Sequence, residues 1–230
     1  MYTLFIANKN YSSWSLRPWI LMTELDIGFE ETLVPFKGAV NTEAFGKFAP
    51  NGKVPCLHDG SRVIWDSLSI CEYLGEKFLA VWPEDEVARA WARCASAEMH
   101  SGFNALRTIC PMTVGVRVKL KEIPDALQQD IERIDLLWNE GLSRFGGPFL
   151  AGKFFTAVDA FYAPVVFRCR SFGLKLTPDA QAYCDRVLSR PSMQSWEQAA
   201  LAEPWRDPDH EKDTLEYGDV TDDYRVSAQP

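Results

Sequence analysis

Residues 1–7 alternate apolar and polar positions and are rich in β-forming side chains, which predicts a first strand. Residues 8–13 are polar and read as a turn. Residues 15–27 then switch to helical spacing through Leu16, Trp19, Ile20, Thr23 and Leu25. Pro18 falls in the first turn of that helix, where a missing N–H is harmless. Residues 30–35 predict a second strand. Two short runs, residues 54–58 and 62–65, flank Asp59-Gly60, a strong hairpin signal. Asp66 or Ser67 then caps a helix with apolar positions at Leu68, Cys71, Leu74 and Phe78. The order strand, helix, strand, irregular stretch, strand, strand, helix describes a mixed sheet with helices packed on it.

Residues 81–86 (Val-Trp-Pro-Glu-Asp-Glu) read as a linker, and beyond them the pattern changes. Residues 87–106 and 125–144 predict long helices. In the second, Leu127, Ile131, Ile134, Leu137, Trp138, Leu142 and Phe145 recur every three or four positions. Residues 157–172, 178–188 and 192–201 predict three more, and no strand is expected after residue 86. The expected organisation is an α+β domain over 1–80, an all-α helical bundle over 87–203, and an acidic tail over 204–230. The tail is polar enough to predict irregular structure lying loosely on the surface.

Charge refines this picture. The net charge is −8, yet from Glu203 onward nine acids face three bases, so this C-terminal stretch holds −6 of it. Neither part offers the clustered Lys and Arg that nucleic-acid binding requires. No apolar run approaches the roughly 18 residues of a membrane helix, and residues 1–6 lack the features of a secretory signal. The six cysteines (56, 71, 94, 110, 169 and 184) are scattered singly, with no Cys-x-x-Cys pair. That spacing argues against a metal site or a redox dithiol and fits reduced thiols in a cytoplasm.

Four features of the first half carry chemistry. Tyr11-Ser12-Ser13-Trp14-Ser15-Leu16-Arg17 opens the first helix, where free N–H groups and the helix dipole attract an anion. A serine hydroxyl there can donate to a thiolate, and thiols at helix N-termini can fall to a pKa of about 3.5–7.5. Plain helix capping produces the same pattern. Asn51-Gly52-Lys53-Val54-Pro55 opens a strand on a proline, the signature of either an edge strand or a cis bond that turns Val54's backbone outward. Asp66-Ser67 would present a hydroxyl, an N–H and a carboxylate at the start of another helix. In the second half, His100, Phe103 and Arg107 fall at i, i+3 and i+7 on one helix face, which suits either orienting a carboxylate or enolate or packing Phe103 in the core with the polar pair at the surface.

Together these features resemble the cytosolic glutathione transferase superfamily, over roughly residues 1–200. The serine-type, zeta-like branch is most similar, its Ser-Ser-x-Ser-x-Arg helix start matching Ser12-Ser13-Trp14-Ser15-Leu16-Arg17. The resemblance implies a thioredoxin-like N-terminal domain, an all-helical C-terminal domain, glutathione as co-substrate and a cytoplasmic homodimer serving detoxification. It assigns Ser12 to thiolate stabilisation, with Ser13 and Ser15 as neighbours or substitutes. Val54, before Pro55, would pair with the cysteinyl backbone, and Lys53 with the glycyl carboxylate. Ser67 would take the γ-glutamyl carboxylate and Asp66 the ammonium end. Trp14, His100, Phe103 and Arg107 would face the second substrate. Thr156-Ala157-Val158-Asp159 resembles the family's buried capping box, a folding element. Two departures stand out: Trp14 replaces the cysteine some zeta enzymes carry, and Asp66 replaces the usual Glu or Gln.

The activity expected on this basis is conjugation of the glutathione thiolate to a small electrophile. A glutathione-dependent cis–trans isomerase acting on a maleyl-type substrate is the alternative within the fold, and a non-catalytic binding module the alternative outside catalysis. Tyr11 remains a rival donor to the sulfur.

Overall fold

The computed structural model describes residues 1–38 and 42–227. Its first half contains β1 (Tyr2–Ile6), α1 (Ser13–Glu24), β2 (Phe29–Leu33), a short α2 (Thr42–Gly46), β3 (Cys56–Asp59), β4 (Arg62–Trp65) and α3 (Ser67–Gly75). The four strands form one sheet in the order β2-β1-β3-β4, with β1 parallel to β2 and antiparallel to β3. The parallel β1–β2 pair needs a crossover, and α1 supplies it. Gly60 holds the β3–β4 turn at φ 60°, a left-handed value that glycine adopts without strain. Chain polarity then dictates the site: β1, paired on both sides, ends at Ile6, and residues 7–12 carry it to the N-terminus of α1.

The second half contains α4 (Glu86–Ser101), α5 (Asn104–Ile109), β5 (Val116–Leu120), α6 (Asp125–Phe145), α7 (Ala157–Phe172), α8 (Pro178–Leu188), α9 (Pro191–Ala202), α10 (Pro208–Tyr217) and β6 (Gly218–Asp223). Helix α7 is buried along nearly its whole length and packs against α1, α4 and α8. Its central stretch Ala163–Phe167 is apolar all round, as the enclosed part of a helix tends to be. Its start carries the full capping box: the Thr156 hydroxyl and Asp159 carboxylate each bind the other residue's backbone N–H. Asp159 does more than cap. Its oxygens also accept from Leu150 N–H at 3.0 Å and Tyr183 Oη at 3.1 Å, tying three segments to one buried group.

Three features depart from the sequence reading. The helix expected over 87–106 is two helices, because the chain breaks at Gly102-Phe103, with Phe103 at φ 57°. A Cβ at Gly102 would lie 2.8 Å from the Glu98 carbonyl oxygen. A two-stranded antiparallel sheet, β5–β6, occurs where no strand was expected. The tail also is not loose: it folds into α10 and β6, and the Arg225 side chain is only 5% exposed between Glu211 and Asp223. No helix among the described residues is long and apolar enough to cross a membrane.

Candidate functional site

A cleft of about 540 Å³ opens at the N-terminus of α1. One wall is the β1–α1 loop with Tyr11, Ser12, Ser13 and Trp14, and beside it lie Lys53 and Val54 from the segment before β3. The helical half contributes Arg107, Met112 and Arg168, and α10 contributes His210 and Asp213. A larger hollow of about 890 Å³ lies between the end of α1, the linker and residues 149–156. Its one hydroxyl, on Thr156, is committed to Asp159, and none of the serines at the start of α1 line it. The smaller cleft has the chemistry.

Ser12 is the N-cap of α1. Its Oγ accepts from Ser15 N–H at 3.4 Å and donates to Ser15 Oγ at 2.7 Å. The Ser15 Oγ in turn accepts from Ala7 N–H at 3.3 Å, so this short chain fixes the hydroxyl relative to the end of β1. A hydroxyl has one proton to give. If Ser15 donates instead of accepting, the Ser12 proton is released toward an anion in the cleft. Ser13 lies beside it, and its N–H is bonded to the Tyr11 carbonyl.

Trp14 is clamped between two guanidinium groups, Arg17 4.1 Å from its ring centroid and Arg107 at 5.0 Å. Such contacts contribute about 0.5–2 kcal/mol each and here fix an aromatic surface at the cleft wall. Arg17 is fully buried, and two of its nitrogens, Nε and Nη2, have no partner. Burial, reinforced by the charges of Arg107 and Arg168, lowers its pKa well below the ordinary value. Burial also lowers Arg168, to about 10. The Arg168 Nη1 donates to the Cys110 carbonyl at 2.6 Å, whereas its buried Nε is unpartnered. This flank of the cleft is therefore cationic and short of acceptors.

The tail closes the other flank. The Glu203 carboxylate accepts from Lys9 N–H at 2.6 Å and Asn10 N–H at 3.3 Å, and burial pushes its pKa up to about 7. Tyr11 Oη donates to Glu211 at 2.6 Å and also meets Arg225. Burial first, then the Glu211 hydrogen bond, raise the phenol well above its ordinary range.

The residues singled out from sequence fall into two groups. Ser12, Ser13, Trp14, Lys53, Val54 and Arg107 meet at the cleft. The Val54–Pro55 peptide is cis. Asp66, Ser67, His100 and Phe103 do not line it. Asp66 caps α3 by accepting from Leu68 N–H at 2.8 Å, and Ser67 Oγ, fully buried, accepts from Arg17 at 3.3 Å. His100 stands edge-on behind Trp14, 5.3 Å between centroids, with Nε2 3.6 Å from Asp66. Burial lowers its pKa, so it is neutral at pH 7. The shared face expected for His100, Phe103 and Arg107 does not exist, because the chain breaks between the first and the last. Arg107 folds back instead, and its Nε donates to the Gly102 carbonyl at 2.8 Å.

Arg168 and His210 escaped the sequence reading. Arg168 had a signal, a lone cation in the apolar stretch Ala163–Cys169 of α7. His210 had none, lying in a segment whose composition suggests disorder. All six cysteines are free, and burial raises the Cys56 thiol to about 11 and that of Cys110 to about 12. Neither is primed as a nucleophile. No group of three or more metal-ligating side chains occurs among the described residues.

A small mixed sheet whose β1–α1 turn presents serines to a cleft, joined to a helical half that walls the other side, defines a thioredoxin-like domain with a helical companion. Residues 11–77 match the family model described as the glutathione S-transferase N-terminal domain. The chain is 26% identical to glutathione S-transferase A of Pleuronectes platessa over 223 residues, covering 88% of this chain and 94% of that one. It is 25% identical to a probable maleylacetoacetate isomerase of Caenorhabditis elegans over 179 residues, 74% of this chain and 79% of that protein. A Burkholderia glutathione transferase homologue solved with bound glutathione superposes with a TM-score of 0.65 at 22% identity, over 86% of this chain and 97% of that one. The fold is that of the glutathione transferases, and residues 11–77 match that family's N-terminal domain.

Proposed function

We propose that the protein is a glutathione transferase that holds its co-substrate as a thiolate at Ser12 and directs it at a small electrophile. The observation that carries this reading is the Ser12 hydroxyl at the N-cap of α1, backed by Ser15 and open to a cleft beside Val54 and a cis proline. Once the thiol is ionised, the helix N-terminus and the hydroxyl stabilise the anion, and the cleft supplies proximity. Val54 lies outside the β1–β3 ladder, which leaves its backbone for the cysteinyl unit, and Lys53 suits the glycyl carboxylate. Asp66 and Ser67, at the start of α3, are the proposed γ-glutamyl anchor. The test is the ultraviolet thiolate band that appears when glutathione is added. It is expected in the wild type and absent in Ser12→Ala; a band of equal size in both would refute the assignment.

A second reading, glutathione-dependent cis–trans isomerisation of a maleyl-type diacid, draws support from the cationic flank formed by Arg107 and Arg168. A carboxylate would give the unpartnered Arg168 Nε an acceptor. Turnover of a diacid with none on a model aryl halide would favour isomerisation, and the reverse would favour transfer. A binding module without catalysis would take up glutathione with no thiolate band. The free cysteines and the family resemblance support a cytoplasmic homodimer engaged in detoxification, for which light scattering tests the dimer.

A further inference from the structure

We propose that His210, held by Asp207, is the base that takes the glutathione thiol proton; this rests on the transferase reading above. The two side chains form a dyad in the first turn of α10, with Asp207 Oδ2 2.6 Å from His210 Nδ1. The Asp207 side chain is 1% exposed and is held in place by Gly38 N–H, which donates to its Oδ1 at 2.9 Å. Burial raises this acid, but the hydrogen bonds from His210 and Gly38 outweigh it and keep the carboxylate below its ordinary pKa. An ionised Asp207 can only accept, so the proton between them sits on Nδ1. The remaining nitrogen, Nε2, is then a lone-pair acceptor, and it makes no hydrogen bond among the described residues.

The ring is also fixed in orientation. Tyr11 stacks on it with centroids 5.0 Å apart, and Phe36 approaches at 4.7 Å. His210 lines the same cleft as Ser12 and Ser13. A buried carboxylate that sets the tautomer, a clamped imidazole and a cleft built for a thiol make up the parts of a general base.

The step balances. The thiol S–H bond breaks and its proton passes to Nε2, directly or through one water. The imidazolium so formed is offset by Asp207, while Ser12 donates to the thiolate. Sulfur then forms its bond to the electrophilic carbon, the leaving group departs with its electron pair, and the imidazolium returns the proton to that group or to solvent. Ser12 and His210 thus divide the work, one stabilising the anion and the other receiving the proton. Charged and titratable groups around the imidazole are Asp207 and Asp213 on its own helix, Tyr11 with its Glu211–Arg225 pair, and Lys53 among the cleft residues.

The test compares full-length wild type with His210→Gln, using glutathione and a model aryl halide, after circular dichroism has verified the fold. The expected result for His210→Gln is unchanged glutathione affinity by calorimetry with kcat/KM at neutral pH down at least tenfold. The deficit should shrink as pH rises toward the free thiol's pKa, and added imidazole should restore part of the rate. Asp207→Asn should keep the Gly38 contact, lose part of the rate and shift the acid limb of the profile. If His210→Gln retains the wild-type rate and pH profile, or loses rate equally at every pH with no rescue, His210 is not the base, and the transferase reading stands. If wild type binds no glutathione, the transferase reading fails and this role fails with it.

Discussion

The Tyr11 hydroxyl donates a 2.6 Å hydrogen bond to the Glu211 carboxylate, so the phenol next to the serine pair is already spoken for by the C-terminal segment. Arg225 reinforces that bond by pairing with Glu211. A phenol whose ionisation is opposed by burial and by an adjacent carboxylate is poorly placed to serve a thiolate. Tyr11→Phe should therefore keep the thiolate band and hold turnover within about threefold of wild type, at a stability cost near 1 kcal/mol. Ser12→Ala should lose a charge-assisted hydrogen bond worth about 1.5–3 kcal/mol, raising the bound thiol's pKa by roughly one to two units. Titration of the thiolate band in both variants checks the pair, and the opposite pattern would make Tyr11 the donor.

Stability should fall as pH rises from about 4.5 toward 7. Glu203 has an ordinary value of 4.5 and about 7 in the folded chain, raised by burial. A raised carboxyl favours folding fully below its unfolded pKa and loses that contribution as pH passes the folded one. The shift corresponds to a change on the order of 3 kcal/mol. Asp159, raised by burial to about 6, acts in the same direction at lower pH. Glu203→Gln should flatten the upper part of the curve and leave the lower part; urea unfolding from pH 4 to 8 measures both.

Arg107→Gln should discriminate between substrates. The guanidinium lies at the cleft and stacks on Trp14, so a carboxylate-bearing electrophile should lose about 10- to 100-fold in kcat/KM. A neutral aryl halide should change by only about threefold, through the loosened indole. Equal losses on both would assign Arg107 to structure alone, through its bond to the Gly102 carbonyl.

Asp159→Ala should destabilise the fold by at least about 3 kcal/mol, because it strands the Leu150 and Thr156 N–H groups and the Tyr183 hydroxyl in the core. Chemical denaturation reads the loss. Glutathione affinity of the remaining folded fraction should be unchanged, since Asp159 does not line the cleft.

Local signals made the first half readable in advance. The Ser12 cap, the Asp59-Gly60 turn and the Asp66 cap each act within a few residues, so short stretches of sequence carry them. The β5–β6 pair depends on partners about a hundred positions apart, and the β6 stretch Gly218–Asp223 is too acidic to signal a strand by itself. Residues 116–120 do alternate in the manner of a strand, but the surrounding helical periodicity hid it. Gly102 is a visible breaker, and the break it marks removes the common face of His100, Phe103 and Arg107. The dyad at Asp207 and His210 could not be foreseen, because it acquires meaning only when α10 lies against the β1–α1 loop.

The position of β1 between two neighbours has a consequence for how the molecule exchanges its amide protons with solvent. The amides of a strand paired on both sides open only when the sheet as a whole gives way, so those of Leu4 and Phe5 should be among the slowest to take up deuterium. Lys9 and Asn10, only a few positions later, owe their protection to the Glu203 carboxylate and should exchange whenever the C-terminal segment lifts, with the sheet still closed. Two clocks a few residues apart would thus time global unfolding and the breathing of one wall separately.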